Sequence, residues 1–275
     1  MDYQLIAFDM DGTLLDSRKE VLPSSIEAMA EASAAGKAIA ICSGRCPSMI
    51  ELNRSALGDV RYAICGSGAI LYDLAERRVL TETSLDHALL MQAIEAAEGE
   101  DYICEAFSGT GFLYENGTLE RMERYGMGIY VPLYRQTGTA IANLRATLAD
   151  ATVPLQKFNF HFASQAARER VRERTRDLPL EIADSEEASL EFSPTGVDKG
   201  SGLLALAELL GIAREATIAV GDADNDLPML RVAGLGVAMG NANDNARRAA
   251  SVTVADNDHD GCAEAIRRFL LGDEA

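Results

Sequence analysis

Residues 9–14 read Asp-Met-Asp-Gly-Thr-Leu, and they follow directly on the short apolar run Leu5–Phe8. An apolar run of this kind indicates a strand buried on both faces of a parallel sheet. Ligands of open α/β folds bind at the carboxyl ends of such strands. Two carboxylates are costly at a buried strand end unless a cation or a proton compensates them. The stretch therefore predicts an α/β fold with a charged ligand site at Asp9 and Asp11.

Further apolar runs along the chain predict the remaining strands of this sheet. They lie at Ala38–Cys42, Tyr62–Cys65, Thr217–Val220, Gly236–Met239 and Val252–Val254. Helical patterns alternate with them: one begins at Pro23 and stops near Gly36, and another covers Lys199–Leu210. Alternating strands and helices predict an α/β fold with a Rossmann-like parallel sheet.

The middle of the chain has a different pattern and predicts an inserted α+β domain. Gly111–Tyr114 followed by Asn116-Gly117 suggests a hairpin, and alternating Phe158, Phe160 and Phe162 predict a half-buried strand. Helical stretches are predicted at His87–Glu98, Ile141–Ala149 and Ala163–Arg176. We expect a discontinuous core formed by residues 1–83 and 187–275, with residues 84–186 as the inserted domain.

Two groups that could hold a phosphate stand near other strand and helix ends. Ser43-Gly44-Arg45 follows the strand Ala38–Cys42, and a small hydroxyl residue before Gly suits a phosphate oxygen. Lys199 stands at a predicted helix start, where a compact ammonium could bridge a carboxylate and a phosphate. Taken singly, an ordinary turn and a solvated lysine are the better explanations of these two features.

A third acidic segment, Gly221-Asp222-Ala223-Asp224-Asn225-Asp226, follows the strand Thr217–Val220. Its carboxylates could join Asp9 in binding a hard cation such as Mg²⁺. A calcium loop is the alternative, but it requires Gly at position six and Glu at position twelve, where this chain has Leu227 and Ala233. The magnesium interpretation is therefore favoured.

Composition excludes several classes of function. The 275 residues carry a formal net charge of −18, which argues against a nucleic-acid or anionic-membrane partner. An anionic substrate must then be attracted by local positive groups. No apolar stretch reaches the length of about 18 residues that a membrane span needs. The 5 cysteines form no CxxC pair, which favours free thiols in the reducing cytoplasm.

These elements arrive in a fixed order, and together they resemble the haloacid dehalogenase-like hydrolase superfamily, most closely its Cof-type phosphatases with a large α+β (C2-type, IIB) cap. DMDGTLLDS is similar to the first motif of the family, SGR to the second, GVDKG to the third and GDADND to the fourth. GVAMGNA and NDHDGCAEAI resemble the closing segment. The resemblance covers nearly the whole chain and implies a phosphatase that uses Mg²⁺.

Residue by residue, the resemblance implies a nucleophile at Asp9 and a general acid/base at Asp11. For the acid step we expect a raised pKa of Asp11 in the substrate complex. The implied phosphate-binding residues are Thr13, Ser43, Gly44, Lys199 and Asn225, and the implied metal ligands are Asp9, Asp11 (through its carbonyl), Asp222 and Asp226. Two residues depart from the family pattern: Ser67 stands where Asn is usual, and Cys262 replaces a larger aliphatic residue.

The cap that this resemblance implies would close over the core and leave room for a small substrate: a sugar phosphate, a nucleotide-like phosphate or a phosphorylated vitamin. A monomer or homodimer is expected. Alternatives on the same fold are a phosphomutase and a phosphatase dedicated to a sugar-phosphate biosynthetic step. A dehalogenase would not need Asp11. A non-catalytic phosphometabolite-binding protein and an acidic calcium-binding protein are the alternatives of other classes.

Overall fold

The computed structural model describes residues 2–184 and 186–272, and it contains two β-sheets. The strands are β1 Leu5–Phe8, β2 Ala38–Cys42, β3 Tyr62–Cys65, β4 Ile70–Asp73, β5 Arg78–Glu82, β6 Tyr102–Ser108, β7 Gly111–Glu115, β8 Gly138–Ile141, β9 Lys157–Phe162, β10 Leu180–Asp184, β11 Ser189–Pro194, β12 Thr217–Gly221, β13 Leu235–Ala238 and β14 Val252–Thr253.

The helices alternate with the strands of the first sheet and flank the second. They are α1 Pro23–Ala34, α2 Pro47–Glu51, α3 Arg54–Leu57, α4 His87–Ala96, α5 Val131–Thr137, α6 Leu144–Ala149, α7 Gln165–Thr175, α8 Lys199–Leu209, α9 Leu227–Val232, α10 Asp244–Ala249 and α11 Gly261–Ala265, which continues as a π-helical turn over Ile266–Leu271. Single 3₁₀ turns lie at Gly66–Gly68, Met122–Tyr125, Gly128–Tyr130, Arg214–Ala216 and Asp224–Asp226.

The first sheet has the strand order β14-β13-β12-β1-β2-β3-β4-β5. The strands from β14 to β3 pair in parallel, and β4 returns antiparallel to β3. All four residues of the central β1 are fully buried, as its apolar sequence requires. The predicted α/β fold with a Rossmann-like parallel sheet is confirmed, and strand bounds differ from the expected ones only at the edges.

The second sheet has the order β10-β11-β9-β6-β7-β8 and is antiparallel except for the pair β7–β8. One face packs on α4, α6 and α7 through a core that includes Phe158, Phe160 and Phe162. The prediction of a half-buried strand here is wrong, because all six residues of β9, including the polar ones, are buried. The face that bears those polar side chains is therefore covered as well.

The hairpin of this sheet lies earlier than the sequence pattern suggested. β6 and β7 pair antiparallel with Ser108 opposite Gly111, so the turn falls between them, and Gly109 takes a φ of +60° there. The Asn116-Gly117 hairpin prediction is wrong: after β7 the chain enters a stretch of turns and reaches β8, which pairs parallel to β7. The helix α6 begins at Leu144 and not at Ile141 as predicted, because Ile141 is the last residue of β8.

The structure divides into two units, each with its own sheet. The core unit comprises residues 1–45, 50–81 and 198–275, and the cap unit comprises residues 46–49 and 82–197. The strand β11 belongs to the cap unit because it pairs with β9 and β10, whereas the sequence-based boundary assigned it to the core. No helix within the described ranges is both long and apolar enough to cross a membrane.

Candidate active site

The polar residues that the sequence singled out stand at the carboxyl ends of three adjacent strands of the core unit. Asp9 follows β1, Ser43 follows β2 and Asp222 follows β12. The amide of Asp9 continues the ladder by donating to the Val220 carbonyl, and the amide of Ser43 donates to that of Ile64. Because β1 lies between β2 and β12, these side chains meet at one edge of the sheet.

Three carboxylates form a tight group at this edge. Asp9, Asp222 and Asp226 each offer an oxygen, and these oxygens lie within 4.8 Å of one another. Asp226 is fully buried, and its Oδ2 accepts hydrogen bonds from the amides of Asp222 (2.9 Å) and Ala223 (3.1 Å). Asp226 thereby fixes the turn that carries Asp222.

The buried ammonium of Lys199 joins two of these carboxylates. Its Nζ lies 2.6 Å from Asp9 Oδ1 and 2.6 Å from Asp226 Oδ1. The lysine occupies the first position of α8, whose start is fixed by the side chain of Asp198 accepting from the Ser201 amide. Burial opposes the charge of Lys199, but the carboxylates of Asp226 and Asp9 outweigh it, so the pKa of Lys199 is raised well above its ordinary value.

The carboxylates of the group carry more negative charge than Lys199 neutralises. Burial raises the pKa of Asp9 above its ordinary range; Lys199 opposes this rise, and the charges of Asp226 and Asp222 add to it. Burial likewise raises the pKa of Asp222 to about 6. Three carboxylates against one ammonium leave room for a divalent cation, and carboxylate oxygens suit Mg²⁺. The residues present therefore fit the magnesium ion that the family resemblance implies.

Gly12 and Thr13 hold Asp222 in this group. Gly12 has a φ of +83°, and a Cβ built on it would lie 2.5 Å from Asp222 Oδ2, so only glycine allows the approach. The Thr13 hydroxyl donates to Asp222 Oδ1 at 2.8 Å, and the Thr13 amide donates to the Met10 carbonyl. In this structure Thr13 positions Asp222, while its predicted contact with phosphate stays a prediction.

The side chain of Asp11 contacts two cations. Arg45 Nη2 lies 2.9 Å from Asp11 Oδ1 and 2.8 Å from Oδ2, and Lys19 Nζ lies 2.8 Å from Oδ1. Burial would raise the pKa of Asp11, but Arg45 and Lys19 together lower it below its ordinary value. The raised pKa that we expect in the substrate complex is thus not a property of the ligand-free site.

Sequence reasoning missed Arg45 and Lys19 as neighbours of Asp11. Arg45 belongs to the Ser-Gly-Arg segment, and its place two residues after Ser43 is the signal that could have indicated a position near this edge. Lys19 carried no such signal, because its approach depends on a turn in which it takes a φ of +65°. Both belong to the local positive groups that an anionic substrate requires in so acidic a chain.

The other predicted phosphate contacts surround the same edge. Ser43 is buried, and its Oγ accepts from the Arg45 amide at 3.3 Å, so its hydroxyl hydrogen can point elsewhere. Gly44 lies between them. Oδ1 of Asn225 is buried and has no hydrogen-bond partner among the described residues.

Both departures from the family pattern lie near this edge. Ser67 takes a φ of +57°, a conformation that Asn tolerates better than Ser, which explains the usual Asn. The Cys262 thiol donates to the Thr13 carbonyl at 3.3 Å.

A family model described as haloacid dehalogenase-like hydrolase matches residues 6–266. The chain is 32% identical over 273 residues to pyridoxal phosphate phosphatase YbhA of Escherichia coli (strain K12), with 98% of this chain and 100% of the relative covered. It is 28% identical to 5-amino-6-(5-phospho-D-ribitylamino)uracil phosphatase YcsE of Bacillus subtilis, with 98% and 97% covered.

A solved structure shares the fold of most of this chain. A haloacid dehalogenase-like hydrolase from B. subtilis superposes with a TM-score of 0.87 at 27% identity, covering 97% of this chain and 100% of that one.

Proposed function

The chain belongs to the haloacid dehalogenase-like hydrolases, and from this premise we propose that it is a magnesium-dependent phosphatase of a small phosphorylated metabolite, acting through an aspartyl phosphate on Asp9. The observation that carries the proposal is the position of Lys199, 2.6 Å from Asp9 and 2.6 Å from Asp226 in a group of three carboxylates. A nucleophilic carboxylate, a buried cation and a cation-binding acidic group are what phosphoryl transfer to an aspartate requires.

The proposed reaction begins with attack of a carboxylate oxygen of Asp9 on phosphorus. Lys199 contacts Oδ1, which leaves Oδ2 for the new P–O bond. As that bond forms, the bond between phosphorus and the ester oxygen breaks, and the leaving alkoxide takes a proton from Asp11. Water then attacks the phosphorus of the acyl phosphate and gives a proton to Asp11, while the bond between phosphorus and Asp9 Oδ2 breaks. The products are inorganic phosphate and the carboxylate of Asp9.

Asp9, Asp222 and Asp226, with the backbone carbonyl of Asp11, would hold the magnesium ion. When bound, the ion supplies positive charge that offsets the repulsion between the phosphate and the carboxylates. Lys199 and the hydroxyl of Ser43 add donors that are fixed in place before the substrate arrives.

The acid role of Asp11 sets a further requirement. Asp11 is paired with Arg45 and Lys19 and has a lowered pKa, so it must exchange these contacts before it can donate a proton. A phosphate dianion offers both cations an alternative anionic partner. We therefore include release of Asp11 on substrate binding as part of the proposed mechanism.

The substrate class in this proposal is a phosphate ester of a small metabolite, namely a sugar phosphate, a nucleotide-like phosphate or a vitamin phosphate. Two relatives that match along nearly their whole length are named for pyridoxal phosphate and for a phosphoribitylamino-uracil, and their names support this class. The strongly acidic chain, with its net charge of −18, supports a small substrate over a nucleic acid.

The test is phosphate release from 4-nitrophenyl phosphate and from a panel of phosphorylated metabolites, in Mg²⁺ and in EDTA. We expect release in Mg²⁺ that disappears in EDTA and in the Asp9→Asn variant. Asp177→Asn, which changes an exposed aspartate in the same way, serves as the control and should keep full activity. Release that is indifferent to EDTA or to Asp9→Asn would refute the proposal.

A further inference from the structure

Two stretches near the C-terminus resemble the closing segment of the family, and the proposed reaction gives no role to either. They are GVAMGNA at residues 236–242 and NDHDGCAEAI at residues 257–266. The first begins in β13 and the second follows β14, and both strands belong to the parallel part of the core sheet. The residues after these strands therefore lie at the edge that carries Asp9 and Asp222. Side chains from both stretches contact the backbone of residues 9–20, which we call the β1 loop.

Asn241, in the turn after β13, uses both ends of its side-chain amide. Its Nδ2 donates to the Gly12 carbonyl at 2.7 Å. Its Oδ1 accepts from the backbone amide of Asn257 at 3.2 Å. An asparagine amide that donates on one side and accepts on the other has a single orientation that satisfies both bonds. Asn241 therefore presents a fixed donor to Gly12, although the residue is exposed to solvent.

The bond from Asn241 holds one peptide unit of the β1 loop, the unit between Gly12 and Thr13. The carbonyl of this unit accepts from Asn241, and its N–H donates to the Met10 carbonyl at 3.3 Å. A peptide unit is planar, so contacts on both of its sides restrict its rotation as a whole. Gly12 has no side chain that could anchor it, and its φ is +83°. The position of Gly12 therefore depends on the partners of its backbone, and Asn241 is one of them.

The residues before and after this peptide unit both serve the proposed magnesium site. Asp11, before it, would supply its backbone carbonyl as a ligand. Thr13, after it, donates from its hydroxyl to Asp222 Oδ1 at 2.8 Å. Rotation of the peptide unit would therefore move both groups at once. Mg²⁺ demands near-ideal octahedral geometry with ligands at about 2.0–2.1 Å, so small displacements of its ligands lower the affinity.

The turn that carries Asn241 also holds the loop after β12. The backbone amide of Asn243 donates to the Asp222 carbonyl at 2.9 Å. At the start of the turn, the Met239 amide donates to the Gly221 carbonyl at 3.1 Å. One short segment thus connects the two loops from which the proposed ligands come.

We infer that Asn241 is a positioning residue of the magnesium site. By holding the peptide unit between Gly12 and Thr13, it sets the place of the Asp11 carbonyl. Through the Thr13 hydroxyl it also sets the place of the Asp222 carboxylate. The inference rests on the magnesium site of the proposed function, and it is independent of the substrate and of the chemistry at Asp9.

The test compares Asn241→Ala with a matched control, Asn257→Ala. The side chain of Asn257 also donates to a carbonyl of the β1 loop, that of Leu15, at 2.9 Å. Its backbone amide, which holds Asn241, is unchanged by the substitution. Asn257 is half-buried whereas Asn241 is exposed, so the control should lose at least as much stability. A general loosening of the β1 loop would therefore show at least as strongly in the control.

Two properties of each protein are measured without substrate. Calorimetric titration gives the Kd for Mg²⁺, and hydrogen exchange followed by NMR gives the protection of the Thr13 amide in the metal-free protein. In Asn241→Ala we expect the Kd to rise about tenfold and the Thr13 amide to exchange about tenfold faster than in the wild type. In Asn257→Ala we expect both values to stay within about twofold of the wild type.

An unchanged Kd in Asn241→Ala would overturn the inference. So would an equal rise of the Kd in both variants, because it would assign the effect to the stability of the loop and not to the Gly12 carbonyl. Urea denaturation shows whether each variant is folded. Asn241→Ser, which removes the same amide donor, replaces Asn241→Ala if the latter is unfolded.

The inference and the proposed function fail separately. If the wild type binds Mg²⁺ but releases no phosphate from any ester, the phosphatase proposal fails, and the comparison of Kd values still decides the role of Asn241. If the wild type binds Mg²⁺ and releases phosphate while Asn241→Ala has the same Kd, only the inference fails. If the wild type does not bind Mg²⁺, the proposed magnesium site is wrong and the inference is overturned with it.

Discussion

The guanidinium of Arg45 holds both carboxylate oxygens of Asp11, with Nη2 at 2.9 Å from Oδ1 and 2.8 Å from Oδ2. A second cation, Lys19, contacts Oδ1 at 2.8 Å. Paired charges of this kind favour the ionised form of a carboxyl group. The residue proposed as the general acid is therefore held as a carboxylate in the ligand-free protein, and its use as an acid depends on release from Arg45.

Replacing Arg45 by Gln should raise the pKa of Asp11 in the metal-free protein, because the charge that offsets its burial is removed. A carboxyl group with a lowered pKa in the folded state stabilises that state at neutral pH and loses this contribution as the pH falls through the folded pKa. Stability should therefore fall less between neutral and acid pH in Arg45→Gln than in the wild type. Carbon-detected NMR titration of Asp11 measures the shift. Arg176→Gln, at an exposed arginine, is the control, and an unchanged Asp11 titration in Arg45→Gln would contradict the assignment.

Replacing Asp226 by Asn should destabilise the protein although the shape is kept. Its two oxygens accept from Lys199 on one side and from two backbone amides on the other, so an amide NH₂ would face a donor in either orientation. Loss of one partner of a buried ion pair costs about 3–5 kcal/mol of unfolding free energy. Urea denaturation measures it, with Asp177→Asn as an exposed control. A loss below about 1 kcal/mol would show that the group adapts easily, contrary to this account.

Replacing Gly12 by Ala should lower the affinity for Mg²⁺ in addition to lowering the free energy of unfolding. A left-handed conformation costs a residue with a Cβ about 1–2 kcal/mol. Gly36→Ala isolates that cost, since Gly36 has a φ of +76° and nothing within 4 Å of a built Cβ. In Gly12→Ala the Cβ also meets Asp222 Oδ2 at 2.5 Å and displaces a proposed ligand. Calorimetric titration with Mg²⁺ should show lower affinity in Gly12→Ala alone, and equal affinity in the two variants would count against Asp222 as a ligand.

Replacing Lys199 by Met should abolish phosphate release, with a loss of at least about a thousandfold in kcat, because the preorganised charge beside Asp9 is removed. The variant also leaves Asp9 and Asp226 buried without their shared cation, so its melting temperature should fall. Activity is therefore compared at a temperature where circular dichroism shows both proteins folded. A folded Lys199→Met variant with near-normal turnover would remove Lys199 from the proposed site.

The core unit was largely predictable because its signals are local. Each apolar run that ends in Asp or Ser marks a strand and a site residue at once, and parallel pairing then brings Asp9, Ser43 and Asp222 to one edge. Their convergence needed no knowledge of side-chain packing. The place of Arg45 two residues after Ser43 puts it near this edge, but its contact with Asp11 depends on the path of the loop and could not be derived.

The cap unit was predicted less well, since its sheet is held by contacts distant in sequence. The alternation of Phe158 and Phe160 with polar residues correctly gave a strand, but a period of two cannot tell a solvated face from a covered polar one. The hairpin predicted at Asn116-Gly117 is also wrong because of a contact distant in sequence. After β7, the chain runs through several turns before it reaches β8, the strand that pairs with β7. Turn chemistry alone did not reveal that partner.

The most direct test of the central claim is to trap the acyl phosphate on Asp9. A reaction with excess 4-nitrophenyl phosphate is quenched in acid within one turnover and reduced with borohydride, which converts an aspartyl phosphate to homoserine. Mass spectrometry of the peptide that contains Asp9 then locates the change. We predict homoserine at Asp9 when Mg²⁺ is present and none in EDTA. Phosphate release at the full rate without modification of Asp9, or normal turnover by Asp9→Asn, would contradict the account.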